Sequence, residues 1–226
     1  MPHALVLAGH GRYEDPWHDT AAVAHRLAGL LAEDGMGCTI RGTLPTALDG
    51  IDPDLLVVAS GRGRPDADFD GTDDDWAPFH DRLDALVASG VPVLGLHQAS
   101  NTFLDRPSWA AVLGGRWLEG TTWHPPLGPA VFRVVDQTHP VTAGLSMVEA
   151  ADEQYLSLEV SPDVHVLVVA DHDGVPHPVV WVAPGPGRVV YDALGHDVRS
   201  YDSPSRVDLF RREVGWLLDG HDKMAR

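Results

Sequence analysis

The stretch VPVLGLHQAS, residues 91–100, decides how the chain is read. Its first half is a short apolar run of the kind that forms a strand buried on both faces. It then breaks through Gly95-Leu96-His97-Gln98-Ala99 into a predicted helix near 99–113. Small residues flanking one central side chain at a strand-to-helix turn have the layout of a nucleophile elbow. The central residue here is His97, where acyl-transfer enzymes place Ser or Cys. Imidazole serves as base, donor or metal ligand but is a poor acyl carrier in a hydrolase. The chain's one cysteine, Cys38, falls in a predicted earlier strand as buried packing, so amidotransferase chemistry is not expected.

The same pattern extends outward. ALVLAG (4–9) and DLLVVAS (54–60) are further buried strands, and CTIRGT (38–43) is a weaker one. Between them, residues 18–34 set Val23, Leu27, Leu30 and Leu31 on one stripe. Residues 73–89 start behind Thr72, an N-cap with Asp75 at the third helical position. Alternating strands and helices predict a doubly wound, mostly parallel α/β sheet flanked by helices. The second half carries strand-like runs at 129–136, 164–171, 178–183 and 187–194 with no long helix between them, then a helix over 204–219. This predicts a strand-rich C-terminal extension of the same sheet, in a single domain over 1–226.

Composition narrows the partners. The 226 residues contain 16 Lys+Arg, 33 Asp+Glu and 13 His, for a net charge of −17. Such an acidic surface repels phosphate backbones and anionic bilayers, so neither nucleic acid nor membrane is an expected partner. No apolar run approaches a membrane span, and MPHALVLAGHGR lacks a basic n-region, so a cytoplasmic protein is expected. A lone cysteine precludes an intramolecular disulfide and a Cys-based zinc or iron–sulfur site.

Ligands of open α/β sheets bind at the carboxyl ends of the strands. Three histidines emerge there: His10 in Gly9-His10-Gly11, His97, and His196 in Gly195-His196-Asp197. Trp123-His124 suggests a sugar site, since an indole stacks on the apolar face of a pyranose while imidazole bonds its hydroxyls. Asp152-Glu153-Gln154-Tyr155 could bring a carboxylate to the histidines. None of these has a local ligand spacing such as H-x-x-x-H, so no cofactor is expected and a divalent metal is the weaker alternative. Asp66-Ala67-Asp68-Phe69-Asp70-Gly71 imitates the start of an EF-hand loop, but its twelfth position is Ala77, so it reads as an acidic loop without calcium. The glycine turns at 9–11 and 61–63 lack a complete phosphate-binding fingerprint.

The sequence resembles the ThuA-like family, named for trehalose utilisation. The matching pieces, in family order, are 95–99, Leu113-Gly114-Gly115-Arg116, His139-Pro140-Val141-Thr142-Ala143-Gly144-Leu145, 152–155, Pro178-Val179-Val180-Trp181 and 187–196, within residues 5–218. The chain departs from the family pattern at Gln98, at Gln154 and in its acidic 65–75 stretch. The resemblance implies a flavodoxin-like, class I glutamine amidotransferase-like fold without the cysteine nucleophile, and carbohydrate metabolism with trehalose-related keto-disaccharides as substrates. On that reading His97, His196 and Glu153 are the catalytic set. His10, His124, Trp123, Gln98 and Tyr155 bind the substrate. The expected partner is a small-molecule sugar, with a homo-oligomer left open. The rival readings are a non-catalytic sugar-binding or regulatory module and a metal-dependent hydrolase.

Overall fold

The computed structural model describes residues 1–219. In chain order the elements are β1 (His3–Ala8), α1 (Thr20–Glu33), β2 (Gly37–Gly42), β3 (Leu55–Ala59), α2 (Ala67–Asp70), α3 (Asp73–Ala88), β4 (Val93–Leu96), α4 (Ser108–Leu113) and β5 (Gly115–Arg116). They continue with β6 (Gly128–Val134), β7 (Met147–Asp152), β8 (Glu159–Val160), β9 (His165–His172), β10 (Val175–Ala183), β11 (Val189–Asp192) and α5 (Pro204–Asp219). Nine strands form one sheet in the order β2-β1-β3-β4-β11-β10-β9-β6-β7, and β5 pairs with β8 apart from it. The first five run parallel and the rest antiparallel. The expected α/β architecture with a strand-rich extension is therefore the observed one.

The strands with continuous apolar runs lie at the centre. Every residue of β3, β4 and β11 is buried, as apolar sequence requires when both faces are covered. β6 and β7 alternate buried and exposed positions instead, so their outer face meets water. The Thr72 side chain and Asp75 cap α3 reciprocally, as the sequence predicts. Beneath the end of β11, Arg206 of α5 reaches Asp192 at 2.7 Å, both fully buried. Among the described residues no helix is long and apolar enough to cross a membrane.

Three expectations need correction. The helix near 99–113 is split: residues His97–Asn101 form a 3-10 turn, and α4 starts only at Ser108. Phe103 adopts φ +49 and Pro107 precedes Ser108, and neither a left-handed residue nor a residue before proline fits a helix interior. The acidic 66–71 segment is not a plain loop: α2 buries Asp70, which meets Arg12 at 3.3 Å, and Arg12 also reaches Asp73 at 2.8 Å. Cys38 is half-buried on β2 rather than fully packed.

Candidate functional site

β4 ends in a sharp elbow. Leu96 is extended and His97 takes φ +46, a strained value for a residue with a Cβ. Gly95 leaves room for the turn, since a Cβ there would lie 2.6 Å from Leu113 Cδ2 and 3.3 Å from Ala99 Cβ. Tyr191, opposite Gly95 on β11, donates its hydroxyl to the His97 carbonyl at 2.8 Å.

The His97 ring is fixed from two sides. Nδ1 donates to the Ala193 carbonyl at 2.7 Å, which turns Nε2 toward the cluster. Nε2 faces the Tyr155 hydroxyl at 2.9 Å, His18 Nε2 at 3.2 Å and Glu153 Oε2 at 3.5 Å. His18 precedes α1, and its Nδ1 lies 2.8 Å from Asp15 Oδ1. Asp15 also accepts the N–H groups of Trp17 and His18, and the Gln98 side-chain amide. Burial pushes the His18 imidazole down, and the carboxylate of Asp15 does not fully restore it.

Glu153 follows β7, and His196 follows β11. One buried carboxylate, Asp152, joins them by accepting the N–H groups of Glu153, Gly195 and His196 at 3.0, 2.7 and 3.1 Å. Glu153 Oε2 lies 3.4 Å from His196 Nδ1, and Oε1 lies 3.3 Å from His124 Nδ1. Burial alone would raise the Glu153 carboxyl, but the neighbouring His196 and His97 imidazoles hold it well below the usual range. Burial also works against the charged form of His196, and here Glu153 outweighs it and raises the imidazole. Burial drives the Tyr155 phenol far up, so it stays protonated as a donor.

The fold thus brings together His97, His196, Glu153, His124 and Tyr155, with Gln98 holding Asp15 one step away. It does not bring in His10, which stacks on Phe69 with ring centres 5.9 Å apart. Nor does it bring in Trp123, whose ring meets His172 instead. Residues 123 and 156 pair as an antiparallel bridge, and adjacent side chains in extended chain point to opposite sides. With His124 turned to Glu153, Trp123 faces away. Trp117 supplies the aromatic wall, its ring 4.8 Å from Tyr155 and 6.0 Å from His124.

His18 went unseen in sequence because 18–34 reads as one helix, and its partner Asp15 went unseen with it. The signal available was the D-x-x-H spacing ahead of Asp19, the N-cap of α1. His18, His97, His196 and Glu153 each offer one ligand atom, all within 4.8 Å of one another, a set that could hold a metal. Beside Asp15 opens a cleft of about 1120 Å³ whose lining includes Arg12, Trp17, Arg62, Asn101 and Leu104.

The sequence model of the trehalose-utilisation (ThuA) family matches residues 54–217. Among solved structures, a ThuA-like protein from Parabacteroides merdae superposes with a TM-score of 0.76 at 19% identity, covering 97% of this chain and 91% of that one. A ThuA-like protein from Bacteroides uniformis gives 0.72 at 17% identity, over 96% and 91%. A glutamine amidotransferase from Thermotoga maritima gives 0.54 at 12% identity, over 98% and 90%. These likenesses establish a shared fold. No curated protein matches the sequence.

Proposed function

Because this chain belongs to the ThuA, or trehalose-utilisation, family, we propose that its carbohydrate-related role is catalytic: proton transfer beside the ketone of a trehalose-related keto-disaccharide. The observation that carries the reading is His97 on the elbow crest, its Nε2 turned into the cluster by the bond from Nδ1 to Ala193. The position an amidotransferase gives to a thiol holds an imidazole, and Cys38 sits on β2. An imidazole titrates near neutral pH and handles protons rather than acyl groups.

A hydrogen on the carbon next to a ketone is acidic enough for such a base. The C–H bond breaks and its proton passes to the imidazole–carboxylate cluster of His97, His196, His124 and Glu153. The electron pair then moves onto the ketone oxygen, giving an enediol on reprotonation. Alternatively it expels the glycosidic oxygen, which leaves with its bonding pair and takes up a proton. Tyr155, held protonated by burial, is a donor to developing negative oxygen. Trp117 offers an aromatic face beside the cluster, and the neutral sugar suits an acidic protein.

Proton NMR of the protein in deuterated buffer with 3-keto-trehalose, and separately with trehalose, tests the proposal. The expected result is deuterium entering beside the ketone, or new product signals. His97→Ala should lower that rate by about 10²–10⁴-fold. Line broadening without exchange or product would instead identify a sugar-binding module, and an unchanged rate in His97→Ala would overturn the mechanism.

A further inference from the structure

We infer that His18, His97, His196 and Glu153 form a binding site for one divalent transition-metal ion of the zinc class. The first argument is the orientation of lone pairs. Asp15 can only accept, so its contact at 2.8 Å places the His18 proton on Nδ1 and leaves Nε2 with a lone pair. The bond to the Ala193 carbonyl does the same for His97, whose Nε2 also lies 2.9 Å from the Tyr155 hydroxyl. The two Nε2 atoms nevertheless face each other at 3.2 Å. Two lone pairs at that distance repel, and a cation between them turns the repulsion into two bonds.

The second argument is unmet bonding capacity. Glu153 Oε2 and His196 Nδ1 are buried and have no hydrogen-bond partner, although they lie 3.4 Å apart. The Glu153 side chain is only 9% exposed. Buried polar atoms without partners are rare and costly, and a shared ion would satisfy both. The third argument is spacing. Ligands at about 2.0–2.1 Å around a tetrahedral zinc-class ion stand roughly 3.3 Å apart. Three of the six separations are close to this, 3.2 Å from His18 to His97, 3.5 Å from His97 to Glu153 and 3.4 Å from Glu153 to His196. All six lie within 4.8 Å, so binding would draw the set inward.

Three imidazoles and one carboxylate suit zinc, cobalt or a similar ion, whereas magnesium and calcium prefer oxygen alone. Asp15 and the Ala193 carbonyl are the outer partners that orient ligating imidazoles in such sites. The catalytic part of this inference rests on the function proposed above and changes which imidazole carries the proton. The ion would draw electron density from the ketone oxygen, making the adjacent C–H more acidic. His97 would then serve as a ligand, and His124, on the other oxygen of Glu153, would be the imidazole left to carry the proton.

The test uses the full chain, stripped with chelator and titrated with Zn²⁺ by calorimetry and with Co²⁺ by visible absorption. One ion per chain is expected, with Co²⁺ bands of a four- or five-coordinate nitrogen–oxygen site. His18→Ala and Glu153→Gln should each weaken binding by at least tenfold. Asp15→Asn should weaken it by about 10–100-fold. Circular dichroism melts verify that these variants fold, and His165→Ala, which removes a histidine outside the cluster, should bind as the parent does. Absence of saturable binding would overturn the inference, as would affinity unchanged in all three folded variants. An ion bound without keto-sugar exchange would uphold the metal site and sink the proposed function. Full exchange by metal-free protein would uphold the proposed function and remove the ion from its mechanism, leaving the binding data to decide the site.

Discussion

The Asp152 carboxylate accepts the backbone N–H of His196 at 3.1 Å, tying the loop after β11 to the end of β7. The same carboxylate takes the N–H groups of Gly195 and Glu153 and the Ser200 hydroxyl. Asp152 therefore sets the distance between Glu153 and His196 without meeting the cluster itself. Asp152→Ala would leave three backbone donors and a hydroxyl without their acceptor. The expected loss is about 2–4 kcal/mol in urea unfolding, together with keto-sugar exchange. Asp152→Asn keeps one acceptor oxygen and should cost less. An unchanged urea midpoint for the alanine variant would refute this role.

Gly61 lies against the Gln98 side chain so closely that any Cβ there would overlap its amide. Gly61→Ala should swing Gln98 away from Asp15 and loosen the grip of Asp15 on His18. A fall of about tenfold or more in exchange rate is expected, with little change in melting temperature. Gln98→Ala should act through the same contact, so the double variant should be no worse than the poorer single one. Effects that multiply would show that the two residues act independently.

Acid stability should report on Asp105. Burial would push this carboxyl up, but bonds from His80 and Tyr13 overcome it and lower it to about 2. A carboxyl depressed in the folded state stabilises the protein above its unfolded value, near 4. That contribution disappears as pH falls from about 4 through 2. Asp105→Asn should cost about 2 kcal/mol at pH 7 and only about 0.4 kcal/mol at pH 2. A constant difference between the two proteins across that range, measured by urea titration at each pH, would contradict this.

The parallel half of the sheet was legible because β1, β3 and β4 are continuous apolar runs, a pattern that only two covered faces explain. β7 was not. Its sequence, MVEAAD, buries only Val148, Ala150 and Asp152, and an inward face of small and charged residues carries little periodic signal. For the site, strand ends led to His97 and His196, which the fold sets on either side of Glu153, since the chain must leave the sheet there. The same rule misled at His10, because the turn through Gly9 and Gly11 carries its ring to Phe69 instead. Trp123 and His124 looked like a pair in one pocket, yet extended backbone separates neighbours onto opposite faces. His18 was hidden by its nearness to a helix, and its role depends on a carboxylate, Glu153, distant in sequence.

The cluster draws on residues from Asp15 to His196, so no short contiguous piece of the chain contains it. A fragment ending at α4 would keep His18 and His97 but lack Glu153 and His196. Such a cluster cannot be trimmed to a minimal module or transplanted as a peptide. During refolding, the proposed keto-sugar exchange should return only after the antiparallel strands have docked and β11 has entered the sheet, making it a late reporter of the finished topology.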